Sequence, residues 1–281
     1  MIKKEIIKKI NDFVYQKPRT IQEISKLIDK SWLTTDRYIR RIMEEEGTIS
    51  VRTFRGGTRG ALKIVYWNLS PIQKSSFQAR LQKQIEVARY KKDFSPSEIY
   101  QYINENKKEA WILNEKTYYE KDNFENLKNL LMKAESQILF FSGNLSFCNL
   151  SYKDKKIMDT IEFLASSGIN MKILTRVEFP GIETIKNVLS LNDKVGKEVI
   201  EIRHCYQPLR LTIIDSKIVS IKEVKDPKDY VGDELKEKIN ILYRIYDEEW
   251  IEWLQKVFWN LFRNSISAEK RISDLEKIYN V

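Results

Sequence analysis

Cysteine, histidine, glycine and proline are all scarce in this 281-residue chain, which holds two, one, nine and six of them. Cys148 and Cys205 stand alone, so neither a disulfide framework nor a zinc cluster is indicated. So few glycines and prolines argue against disorder and against long loops. No run approaches the length of a membrane span. The opening MIKKEIIKKINDF is charged throughout and has no signal-peptide core, so a soluble cytoplasmic protein is expected. Phosphate-binding loops of the Walker type, G-x-S-x-G elbows and metal-ligand spacings are missing too.

What the chain has is charge: 32% of its residues are charged, against 42% hydrophobic, with a formal net charge of +9. Residues 1–70 carry 15 lysines and arginines against 8 acids, which is most of that excess. A basic segment joined to a nearly neutral remainder suggests a polyanion-binding module with a partner domain.

Within the basic segment, Ile2, Ile6, Ile7, Ile10, Phe13 and Val14 share one helical face. Thr20 and Glu23 form a capping box for a helix over about 21–28. Thr34 or Thr35 caps a third helix reaching about Glu46. Thr35, Ile39, Ile42 and Met43 line its inner side, and Thr34, Arg37, Arg40 and Arg41 its outer side, with Tyr38 at the edge. TISVRTF and ALKIVYWNLS follow as strands around the glycine-rich tip RGGTRG, and this hairpin brings Arg52, Arg55, Arg59 and Lys63 without an acid. Three helices and a basic hairpin are the order of a winged helix-turn-helix. Its expected partner is double-stranded DNA, held by Thr34, Thr35, Arg37, Tyr38, Arg40, Arg41, Arg52, Arg55, Arg59 and Lys63. RNA binding, or a winged helix that meets only protein, is the alternative.

Residues 71–106 read as a helical linker. Its apolar face fits the same helices of a second copy, or else the chain's own second domain. Ser95-Pro96-Ser97-Glu98 is a second capping-box pattern there. From 107 to 265 strands and helices alternate, predicting an α+β or α/β domain with an open mixed sheet, and residues 266–281 add a last helix. LTIID and SKIVSIKE make two strands turned at Asp215-Ser216. There Asp215 is expected to cap backbone amides, with Arg210 as its partner across the strand end.

The runs NFENLKNLLMKAESQILFFSG, SSGINMKILTR, LTIIDSKIVSI and YDEEWIEWLQKVFWNLFRNS, set behind a winged helix, resemble a phospholipase D-like domain. The pairing is similar to archaeal TrmB-type transcriptional regulators, without their C-terminal sugar-binding domain. That resemblance implies a dimeric DNA-binding regulator, nucleoid-associated, its effector unidentified. An abundant low-specificity chromosomal protein is the alternative. The His-x-Lys-x4-Asp pattern of phospholipase D enzymes, aligned on Asp215, puts Pro208 at the histidine and Arg210 at the lysine. Lys222 and Glu223 take the Gly-Ser positions, and His204 falls four residues early. The chain is therefore expected not to be an enzyme, with no catalytic residue, cofactor or metal. A phospholipase D-like nuclease or phosphodiesterase is the contrary reading. An anion pocket retained at Arg203, Arg210 and Lys217 is a further expectation.

Overall fold

The computed structural model describes residues 2–16, 19–55, 61–67, 76–114, 121–229 and 238–279. The chain divides into two compact units, Met1–Pro71 and Ile72–Val281.

The first unit runs α1 (Lys4–Gln16), β1 (Arg19–Thr20), α2 (Ile21–Ile28), α3 (Trp32–Glu45), β2 (Ile49–Arg55) and β3 (Ala61–Trp67). β3 lies between β1 and β2 in an antiparallel sheet, with Thr20 opposite Ile64 and Val51 opposite Val65. The Thr20–Glu23 box closes as the sequence predicts. Thr20 Oγ1 accepts from the Glu23 amide (3.1 Å), and Glu23 Oε2 accepts from the Thr20 amide (2.7 Å). α3 begins earlier than expected, because Ser31 is its cap and its Oγ accepts from the Thr34 amide (3.2 Å). Gly47, at φ 60°, turns the chain out of α3 toward β2, a conformation that a side chain would strain. Isoleucines at 10, 21, 24, 39, 42 and 49 close the core with Val14 and Val65.

The second unit opens with α4 (Ser76–Val87) and the short α5 (Ser97–Tyr100), then β4 (Lys108–Asn114), α6 (Lys121–Leu131) and β5 (Gln137–Phe141). A small hairpin, β6 (Ser151–Tyr152) and β7 (Lys155–Lys156), leads to α7 (Ile157–Ser166) and β8 (Asn170–Thr175). α8 (Ile182–Leu189), α9 (Leu191–Val195), β9 (Ile200–His204), β10 (Leu211–Ile214), β11 (Ile218–Lys225) and β12 (Ile239–Ile245) follow. α10 (Glu248–Arg263), β13 (Ile266–Ser267) and α11 (Ala268–Tyr279) end the unit. The strands form one mixed sheet of order β13-β9-β8-β5-β10-β11-β12-β4, in which β9, β8 and β5 are parallel and the other neighbours antiparallel.

Alternation along each strand sends residues to opposite faces of this sheet. Ile138, Phe140, Met171, Ile173 and Ile202 pack against α6, α7, α8 and α11. Leu139, Phe141, Leu174, Ile213 and Ile221 pack against α4, α5 and α10. The apolar side of α4 (Leu81, Ile85) is thus covered within its own unit, as are Trp253, Leu254 and Phe258 of α10. Dimer contacts expected from 71–106 find that face already taken, so truncation there would strip the unit's own core. The second capping box does not form. Ser95 Oγ donates instead to Glu223 Oε1 (2.5 Å), a carboxylate that also accepts from Tyr243 Oη (2.7 Å), and α5 runs only four residues. Among the described residues, no helix is long and apolar enough to cross a membrane.

Candidate nucleic-acid interface and anion site

The first unit's candidate contacts separate once their neighbours are known. Thr35 is fully buried and its hydroxyl donates to the Ser31 carbonyl (3.0 Å), which removes it from any outward face. Asp36, 5% exposed, is the hub of the inner side of α3. It accepts from Arg40 Nη2 (2.6 Å) and from Lys63 Nζ (2.6 Å) on β3. Burial raises the pKa of this carboxyl, but the two cations outweigh that and hold it below the usual carboxylate range. Lys63 is further enclosed over the Trp32 ring, 5.1 Å from its centroid. Its charge ties hairpin to helix rather than facing outward alone. Arg41 pairs with Glu45 one turn on.

Arg37 differs from these. It is exposed and has no acidic partner among the described residues. Thr34 and Tyr38 are half-buried beside it. Arg52 and Arg55 occupy β2 opposite Ile64 and Ala61, and Arg59 lies outside the described residues. Sequence reasoning missed Asp36, whose charge gives no sign of burial until Lys63 arrives from 27 residues away.

In the second unit, Asp215 is a capping residue, as expected, but the amides it caps belong to another segment. Its carboxylate accepts from the backbone N–H of Glu135 (2.5 Å), Ser136 (2.9 Å) and Gln137 (2.7 Å) and from Ser136 Oγ (2.8 Å). Asp215 and Ser216 both take left-handed conformations, φ 47° and 60°, to make the β10–β11 turn. Burial raises the Asp215 pKa. The amide and hydroxyl donors more than reverse this and leave it lowered.

Arg210 does not pair with Asp215. The whole of β10 stands between them, about 16 Å of extended chain at roughly 3.3 Å per residue. Nor do Arg203, Arg210 and Lys217 converge. Lys217 is at the Asp215 end, bound to Glu135 (2.7 Å). Arg203 bonds Glu201 (2.9 Å) and the Phe262 carbonyl (3.0 Å), and lies over the Phe262 ring.

A different group gathers with Arg210 at the carboxyl ends of β5 and β8. The Arg210 guanidinium sits against Gly143, where an added Cβ would collide with its Nη2 and Cζ. Its Nη1 donates to the Leu209 carbonyl (2.8 Å). Arg176 Nε donates to the Gly143 carbonyl (3.2 Å), and its nearest acid, Glu178, is 3.7 Å away. Lys222 is cross-strand from Arg210, its amide bonded to the Arg210 carbonyl (2.8 Å). Burial, then the Arg176 charge, pushes Arg210 down to about 10. Burial, with Lys238 and Lys91 nearby, pushes Lys222 down to about 8. Arg176 and the largely desolvated Arg210, two like charges side by side, cost free energy unless an anion joins them. The sequence signal for this group was Gly143, directly after an apolar strand, where a glycine marks a close approach.

His204 ends β9 at the same edge. Its Nδ1 accepts from the Val177 amide (2.9 Å), so the neutral ring carries its proton on Nε2. Burial, and then Arg271, lowers its pKa against the opposing pull of Glu178. Among the described residues, no three His, Cys, Asp or Glu side chains gather as a metal site would require.

No family model and no curated protein matches the sequence. Solved structures with some likeness include NucT from Helicobacter pylori, at 16% identity and TM-score 0.40, covering 57% of this chain and 99% of that one. TrmBL2, described as an archaeal chromatin protein with a novel mode of DNA binding, gives 15% and 0.38 over 89% and 88%. Nuc, a phospholipase D family member from Salmonella typhimurium, gives 12% and 0.37 over 57% and 97%. At such identities and scores, none of them assigns this chain to a family. They do correct one expectation. With NucT and a phospholipase D family member among the similar structures, the inference that the chain is not an enzyme is withdrawn.

Proposed function

We propose that this chain is a double-stranded DNA-binding protein acting as a transcriptional regulator, with the first unit a winged helix-turn-helix. The reading rests above all on Arg37, an exposed cation on the outer face of α3 without an acidic partner among the described residues. Arg40 shares that face, and the basic strand β2 follows. A helix of this kind enters a major groove, with arginine reading base edges and the flanking hairpin meeting phosphates. Two copies related by a two-fold axis would set two α3 helices on a pseudo-palindromic site.

The test is binding of purified protein to fluorescent duplexes, followed from low to physiological salt. A regulator is expected to show a salt slope of several phosphates and a preference of about a thousandfold or more for its own sites, recovered by selection from random DNA. A steep slope with no preference would favour the chromosomal coat, and no binding at low salt would overturn both.

In the second unit we propose an oxyanion site at Arg176 and Arg210, in place of the group at Arg203, Arg210 and Lys217. Inorganic phosphate at millimolar concentration is expected to raise the unfolding midpoint of wild-type protein. Arg210→Gln should abolish that increment while keeping the fold. An equal increment in both proteins would remove Arg210 from the site.

A further inference from the structure

α3 carries one exposed feature that its arginines do not explain. Leu33, the second residue of the helix, is 74% exposed. A lone exposed leucine is ordinary on a protein surface. Its register is what sets it apart. At 100° per residue, Leu33, Arg37, Arg40 and Glu44 fall within an arc of about 60°, one narrow outward stripe. The neighbouring Trp32 does not share this freedom, since Lys63 lies over its ring.

The stripe is graded along its length. Leu33, Arg37 and Arg40 occupy about 10 Å of helix at 1.5 Å per residue. Glu44, Glu45 and Glu46 follow at the carboxyl end. Phosphates would repel that end and attract the beginning, where the helix dipole is also positive. A helix so charged enters a groove with its first two turns, and Leu33 then leads. No polar base edge satisfies a leucine. The apolar group displayed in the major groove is the 5-methyl of thymine.

We infer that Leu33 is a specificity-determining residue that packs on thymine methyl groups in the major groove, beside the base or phosphate contacts of Arg37. This rests on the DNA-binding reading above. Deoxyuridine isolates the contact, because it pairs as thymine does and lacks only the methyl.

The experiment measures binding of full-length protein to an alternating dA·dT duplex and to its dA·dU counterpart, with wild type and Leu33→Ala. Wild type is expected to bind the thymine duplex about fourfold more tightly for each methyl buried. Leu33→Ala, whose fold is checked by circular dichroism, should bind both duplexes alike. Equal wild-type affinity for the two overturns the inference while leaving DNA binding intact. Discrimination that survives in Leu33→Ala also overturns it, since duplex shape would then be the cause. Failure of wild type to bind either duplex overturns the DNA-binding reading, and this inference with it.

Discussion

Asp215→Ala is expected to destabilise the second unit by about 2–3 kcal/mol, among the larger effects open to a half-exposed side chain. The carboxylate is the acceptor for three backbone amides at the start of β5, and alanine leaves them to water or to nothing. Partial exposure of the site keeps the cost well below the sum of three buried charged bonds. Alanine would add strain of its own at φ 47°, so Asp215→Asn is the cleaner probe. Asparagine tolerates that conformation and keeps one acceptor, and it should lose about half as much. Urea unfolding followed by tryptophan fluorescence reads the result, since Trp111, Trp250, Trp253 and Trp259 belong to this unit.

The same residue sets an acid dependence of known sign. Its folded pKa is lowered, so its contribution is complete above the unfolded value of about 3.9 and is lost as pH falls through the folded one. Wild type and Asp215→Ala should therefore differ at neutral pH and converge in stability well below pH 4. A constant difference across that range would mean that the amide contacts do not depend on the charge.

Asp215 also marks where sequence reasoning holds and where it stops. A short polar turn between two apolar runs is local information, and the β10–β11 turn was legible from Asp215-Ser216. So was the Thr20–Glu23 box, whose donors and acceptors lie three residues apart. The identical pattern at Ser95–Glu98 failed because Glu223, 128 residues away, takes the serine hydroxyl. Nothing local announces such a partner. Arg210 was grouped with Arg203 and Lys217, yet the residues that meet it in the fold, Arg176 and Gly143, arrive from other strands. Arg203 and Lys217, near it in sequence, are held elsewhere by Glu201 and Glu135. Spacing along a strand separates by length what a motif seems to gather. On α3 the wheel distinguished inner from outer residues. It could not foresee that Asp36 would be buried and would hold Arg40 and Lys63, leaving Arg37 as the arginine of α3 without an acid among the described residues.

That difference among the arginines yields the second large effect. Arg37→Ala should weaken binding to a selected site by about 1–3 kcal/mol, some 5- to 150-fold, if the guanidinium grips a guanine edge. Specificity at that base pair should relax in step. If Arg37 meets a phosphate instead, the loss should be uniform over sequences and the salt slope should fall by about one unit. Arg41→Ala is the internal comparison, because Arg41 is already spent on Glu45 and should cost markedly less. Stability should scarcely move in either variant, since neither side chain is buried in the core. Anisotropy titrations at two salt concentrations, on selected and scrambled duplexes, separate these outcomes. If Arg41→Ala costs as much as Arg37→Ala, the ion pair with Glu45 opens on DNA and the contacting face of α3 is wider than the stripe. If neither costs anything, α3 is not the helix that meets DNA.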